Sequence, residues 1–200
     1  MPIYDIRRRK AFRDPKPRFL IVCEGTVTEK SYLEGMRIAE RILVYLDFIG
    51  NQKPKQAVDT AVGKKKESER NALKDANQRY DAIWCVFDVD EHPQIPEAVE
   101  KAKAHDIHLT ISNPCFELWI YLHFSDQSAH IHRHEVQSRC RKHLNKFQKK
   151  VSYDELGSHR QTAVDRARML DQWQEDRGKT GGNPSTGVWK LVDAILKARL

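Results

Sequence analysis

Apolar residues concentrate in short runs that alternate with longer segments of mixed polarity. The runs at residues 18–23 and 82–87 contain β-branched residues and end at acidic turns, a pattern typical of strands buried on both faces. Two weaker runs, at residues 43–50 and 107–111, complete four predicted strands. Helices are predicted between the strands, over residues 28–41, 54–80 and 96–105. This alternation predicts an α/β fold with a parallel sheet flanked by helices.

The pattern changes after Pro114, where only helical periodicity continues. Four further helices are predicted there, over residues 115–124, 132–150, 158–176 and 185–199. Residues 1–17 are basic and show no sustained period. We therefore expect three parts: a basic flexible arm (1–17), an α/β domain (18–125) and a helical C-terminal part (126–200) packed on that domain.

Composition narrows the class of protein. The chain has 200 residues, of which 40 % are hydrophobic and 32 % are charged, enough apolar surface for one domain with a core. No apolar run approaches the ~18 residues of a membrane span, and the N-terminus lacks the apolar stretch of a secretory signal. The four cysteines form no C-x-x-C motif, so free thiols in a reducing compartment are expected. These features predict a cytoplasmic protein.

Positive charge is clustered along the chain. The formal net charge is +7, and basic residues gather at 7–18, 64–66 and 139–150. Such blocks favour a polyanionic partner, because binding releases counterions from phosphates. Lysine-rich helical faces that only keep a protein in solution would have the same composition. Charge alone leaves both interpretations open.

Acidic residues stand where two of the predicted strands end. Asp88 and Asp90 follow the run at 82–87, and residues i and i+2 of a strand point to the same side. Glu24 ends the first strand, before a glycine. Ligands of parallel sheets bind at the carboxyl ends of the strands, so these three acids would converge if the two strands are neighbours. The conflict between three carboxylates predicts a Mg²⁺ or Mn²⁺ site, whereas loop acids that only turn the chain are the alternative.

Several segments of the chain carry a family resemblance. The segment from Ile21 through Glu24-Gly25 to Glu29, followed downstream by Val86-Phe-Asp88-Val-Asp90, resembles the Toprim pattern of topoisomerases, primases and OLD-type nucleases. The segments at residues 16–35 and 112–119 narrow the resemblance to RloB-like proteins, which are encoded beside restriction-modification and other phage-defence genes. The resemblance covers roughly residues 16–125.

The resemblance implies roles at individual positions. Glu24 would act as general acid/base and metal ligand, and Asp88 with Asp90 would be the Mg²⁺-binding pair. Glu29 matches a second acid and could be a ligand or a helix cap. Glu117 matches a later acid of nuclease-type Toprim proteins, for which a buried structural role is the alternative. The implied function is a Mg²⁺- or Mn²⁺-dependent nuclease acting on DNA or RNA in phage defence.

The sequence leaves other functions and sites open. A non-cleaving nucleic-acid-binding or regulatory subunit would keep the same acids and act with a partner protein encoded nearby. A haloacid-dehalogenase-type phosphatase is disfavoured, because its motif has Thr where this chain has His92. The segment His130-Ile-His-Arg-His134 could bind a metal or be a partly exposed polar stretch. Four lysines are candidates for phosphate contacts: Lys30, Lys53, Lys55 and Lys190.

Overall fold

The computed structural model describes residues 16–89, 95–144 and 150–198. Within these ranges the chain forms five strands and seven α-helices. The strands are β1 (Arg18–Cys23), β2 (Tyr45–Ile49), β3 (Ala82–Asp88), β4 (His108–Asn113) and β5 (Ser185–Thr186). The helices are α1 (Thr28–Ala39), α2 (Pro54–Ala72), α3 (Ile95–Ala104), α4 (Glu117–Leu122), α5 (Arg133–His143), α6 (Arg160–Asp176) and α7 (Val188–Lys197). The α/β fold is therefore confirmed.

The strands form one sheet in the order β2-β1-β3-β4-β5. β1 pairs in parallel with β2 on one side and with β3 on the other, and β3 pairs in parallel with β4. The chain thus moves to one side after β1 and to the opposite side after β3. The carboxyl ends of β1 and β3 consequently flank a topological switch point, the place where ligands bind in open α/β sheets.

Alternate residues of the central strands enter two separate cores. Ile21 and Val86 point into a core shared with α1 and α4–α7, whereas Leu20, Val22 and Cys85 point into a smaller core with α2 and α3. Both faces of the sheet are covered, and this explains why β1 and β3 are apolar at successive positions. The C-terminal helices share the larger core with β1 and β3.

The structure corrects several predicted boundaries. Residues 185–186 were expected to begin the last helix, but they form β5, which pairs antiparallel with the end of β4. The hydroxyls of Ser112 and Thr186 lie 2.9 Å apart across this pair.

α2 ends at Ala72 instead of extending to residue 80, because the Asp75 carboxylate accepts the Asn77 N–H and begins a separate 3₁₀ turn. α5 ends at His143, and most of the predicted basic arm, residues 1–15, lies outside the described residues.

None of the helices in the described ranges is long and apolar enough to cross a membrane. All four cysteines, Cys23, Cys85, Cys115 and Cys140, are buried and unpaired.

Candidate functional site: an acidic pocket at the switch point

The ends of β1 and β3 place two predicted acids side by side. The Glu24 N–H donates to the Val86 carbonyl at 3.1 Å and extends the β1–β3 ladder by one residue. The Asp88 N–H lies 3.5 Å from Oε2 of Glu24, the outer limit of a hydrogen bond. Both residues line one cavity of about 290 Å³. The adjacency of β1 and β3, which was the condition for the predicted convergence, is thus observed, and it places Glu24 beside Asp88.

A tight loop after β1 holds Glu29 against the same cavity. The Gly25 N–H donates to Oε1 of Glu29 at 3.0 Å. A Cβ at residue 25 would collide with this carboxylate, lying 2.6 Å from its Cδ. The Asn51 N–H, at the start of the β2–α2 connection, donates to the Glu24 carbonyl at 3.1 Å, and Asn51 also lines the cavity. Gly25 is therefore required so that the first turn of α1 can return its acid to the end of β1.

Glu117 lines the same pocket from the start of α4. It is the first residue of α4 and only 8 % exposed. Gln137 of α5 donates weakly to its Oε1 at 3.4 Å, and the Cys140 thiol donates to its backbone carbonyl at 3.4 Å. Two residues of the C-terminal helix α5 thus hold Glu117, which belongs to the α/β part of the chain.

Charge repulsion and burial make the pocket electrostatically unfavourable. The pKa of Asp88 is raised well above its usual value by burial and by the neighbouring charges of Glu117, Glu29 and Glu24. Burial also raises the pKa of Glu29, and Glu117 and Glu24 add to this effect. Carboxylates in such surroundings resist ionisation unless a cation joins them.

Arg133 is the cation that the described residues supply. It begins α5, lines the acidic pocket, and places a guanidinium nitrogen 3.6 Å from Oδ2 of Asp88. Its charge partly opposes the raised pKa of Asp88. One guanidinium facing four carboxylates leaves an excess of acid in the pocket.

A model of the RloB-like protein family matches residues 19–195, which is most of the chain. The chain belongs to the RloB-like family. The match extends the resemblance of residues 16–125 through the C-terminal helices, including α5 and its Arg133. Comparisons with curated proteins and with solved structures give no significant match.

The structure brings together four of the five predicted site residues of this RloB-like protein. Glu24, Glu29, Asp88 and Glu117 all line the acidic pocket, whereas Asp90 lies outside the described residues. No group of three or more His, Cys, Asp or Glu side chains within the described ranges is arranged to hold a metal ion. The described acids therefore share a pocket without forming a complete coordination sphere.

The predicted cationic contacts are placed elsewhere. None of the four candidate lysines is among the described residues that line the acidic pocket. Lys55 pairs with Glu97 at 2.8 Å, and Lys190 pairs with Asp171 at 3.4 Å. Arg133 was not predicted as a site residue, although it lies within the histidine-rich segment 130–134. Its place near the start of the helix predicted over residues 132–150 was the available signal.

Proposed function

We propose that this RloB-like protein is a Mg²⁺- or Mn²⁺-dependent nuclease that hydrolyses phosphodiester bonds. The observation that carries the proposal is the convergence of Glu24, Glu29, Asp88 and Glu117 with Arg133 at the switch point of the sheet. A binding pocket for an ordinary organic anion would not concentrate carboxylates in this way. Metal-dependent phosphodiester cleavage uses carboxylates to hold the cation and a positive group to contact the phosphate, and this pocket offers both.

The donor set fits a hard divalent cation. Its ligands would be Glu24, Asp88 and Asp90, which follows Asp88 by two residues in the sequence. All three are oxygen donors, which Mg²⁺ and Mn²⁺ prefer over His or Cys. Mg²⁺ commonly binds through one or two carboxylates and completes its shell with water, so an incomplete set of protein ligands is compatible with the ion. When bound, the cation would neutralise phosphate charge and help to generate the nucleophile.

The remaining pocket residues have separate roles in the proposal. Arg133 would donate hydrogen bonds to non-bridging phosphate oxygens and stabilise the charge that develops there. Glu29, held by the Gly25 N–H and with a pKa raised by burial, is positioned to exchange a proton at the pocket. Glu24 would share this acid/base role, as the Toprim resemblance implies. Glu117, whose carboxylate accepts a hydrogen bond from Gln137, would help to fix the shape of the pocket.

The charge of the chain, its cysteines and its family support a substrate, a location and a biological role for the proposed nuclease. A net charge of +7 supports a nucleic-acid substrate, DNA or RNA. Four buried, unpaired cysteines support a reducing, cytoplasmic location. The phage-defence role that the RloB-like resemblance implies, with a partner protein encoded nearby, belongs to the same proposal.

Cleavage of a panel of substrates tests the proposed activity. Labelled plasmid, single-stranded DNA and bulk tRNA are incubated with wild type and with Asp88→Ala/Asp90→Ala in Mg²⁺, in Mn²⁺ and in EDTA. We expect metal-dependent cutting that the double variant loses. Nucleic-acid binding with no cutting of any substrate would instead favour the non-cleaving subunit.

A further inference from the structure

A second cavity opens beside the acidic pocket. It has a volume of about 530 Å³, and its polar lining consists of His130, His132, Arg133, His134, Asn113 and Asn183. We call it the histidine groove. Arg133 lines both cavities, and Val89, which follows Asp88 in the chain, lines the groove. The groove and the acidic pocket are therefore neighbours along the carboxyl edge of the sheet.

The histidine segment is held rigidly. Ile131 is buried, at 1 % exposure, and the Asn183 side chain satisfies both of its backbone polar groups. Oδ1 of Asn183 accepts the Ile131 N–H at 3.0 Å, and Nδ2 donates to the Ile131 carbonyl at 2.9 Å. Because Ile131 points inward, the rings of His130 and His132 are presented at the surface, with centroids 5.1 Å apart. The backbone that carries these rings is thus anchored to Asn183.

The lining of the groove has the chemistry of an anion site. No carboxylate is found among the described residues that line it, in contrast to the acidic pocket. Imidazole and amide N–H groups together with a guanidinium donate hydrogen bonds to phosphate oxygens. Among the described residues, the three histidines do not form a group that could hold a metal ion.

We propose that the histidine groove binds a backbone phosphate of the nucleic acid next to the phosphodiester that lies in the acidic pocket. This inference rests on the proposed function and names a substrate-positioning subsite for it. The shared Arg133 would lie between the two phosphates. The histidines hold the strand in register, so their loss weakens substrate binding more than the chemical step.

Binding and cleavage measured on the same variants test the subsite. Anisotropy of a labelled 20-nucleotide single-stranded DNA, and of the RNA of the same sequence, is measured with Ca²⁺ for wild type and His130→Ala/His134→Ala. The control, His105→Ala/His159→Ala, removes two exposed histidines that line neither cavity. We expect the groove variant to bind about tenfold more weakly than the control, and its KM in Mg²⁺ to rise with little change in kcat. Circular dichroism and Mn²⁺ affinity should match wild type.

The outcomes separate the two proposals. Equal affinity of the groove variant and the control overturns the subsite, and so does a wild type that binds neither oligonucleotide. Histidine-dependent binding by a wild type that cuts nothing overturns the nuclease and leaves the subsite standing. If the groove variant cuts with the wild-type KM and kcat, the subsite is overturned and the nuclease is left standing.

Discussion

The backbone N–H of Gly25 donates a hydrogen bond to Oε1 of Glu29 at 3.0 Å. The Glu29 carboxylate lies so close to Gly25 that a Cβ at residue 25 would collide with it. This contact ties the start of α1 to the end of β1. It explains why an acid on a helix can lie beside an acid at the end of a strand. The spacing of Glu24-Gly25 and Glu29 therefore has a steric cause as well as a chemical one.

Gly25→Ala should displace the Glu29 carboxylate and lower cleavage about 100-fold, because small misplacements of catalytic groups have effects of this size. If residue 25 acts through Glu29, Gly25→Ala/Glu29→Gln should be no slower than Glu29→Gln alone. Steady-state cleavage rates of the two single variants and the double variant measure this coupling.

Gly63→Ala is the matched control for that series. Gly63 lies within α2, and a Cβ there meets nothing within 4 Å, so alanine should stabilise the protein by about 0.5–1 kcal/mol and leave cleavage unchanged. Additive losses in the Gly25/Glu29 cycle would show that Gly25 does not work by placing Glu29.

Asp88→Asn should raise the thermal stability of the metal-free protein. The raised pKa of Asp88 means that its contribution to stability is complete below the unfolded pKa and is lost as pH rises through the folded value. The neutral amide avoids this loss, so in EDTA the variant should melt a few degrees above wild type at pH 8, with a smaller difference at pH 5. Asp154→Asn, at an exposed position, should not change the melting temperature. A metal-free Asp88→Asn that melts below wild type at pH 8 would contradict the account of repulsion in the pocket.

Arg133→Gln should lower kcat by about 10²–10³-fold, the usual effect of removing one donor to developing charge. Arg133→Lys should recover part of the loss, because lysine keeps the charge but not the planar fork. Arg70→Gln, exposed on α2, serves as a control that changes net charge equally. An Arg133→Gln protein with wild-type kcat would remove this residue from the mechanism.

His123 should make stability fall on acidification. Its Nδ1 lies 3.0 Å from the Trp119 carbonyl and so carries the proton, leaving Nε2 to accept from the Tyr32 hydroxyl at 3.2 Å. Burial of this neutral ring lowers the pKa of His123 to about 4. Because the unfolded ring titrates near 6.5, its contribution is complete above that pH and declines toward pH 4, by roughly 2 kcal/mol between pH 7.5 and 5.

Urea unfolding at the two pH values measures this effect. His123→Gln should be less stable than wild type at pH 7.5 but lose about 2 kcal/mol less on acidification. His105→Gln, at an exposed position, should keep the wild-type dependence. Equal losses in wild type and His123→Gln would assign the pH dependence to other groups.

The sequence predicted those features that depend on local pattern. β1 and β3 were predicted because both of their faces are buried, which makes them apolar throughout, and the pairing of Glu24 with Asp88 followed from the rule for strand ends. β5 was missed because two residues carry no periodic signal and because their partners, Ser112 and Asn113, are distant in sequence. Arg133 was missed for a different reason, because its proximity to Asp88 depends on how α5 packs against the sheet and not on a local pattern. The role of Asp90 remains a prediction, because the residue lies outside the described ranges.

Calorimetric titration with Mn²⁺ tests the central claim, that the carboxylates at the ends of β1 and β3 form a divalent-cation site. Wild type and Asp88→Asn are titrated under the same conditions, with Asp154→Asn as control. We expect wild type and the control to bind Mn²⁺ alike and Asp88→Asn to bind it at least tenfold more weakly. Equal Mn²⁺ affinity of Asp88→Asn and wild type would contradict the central claim.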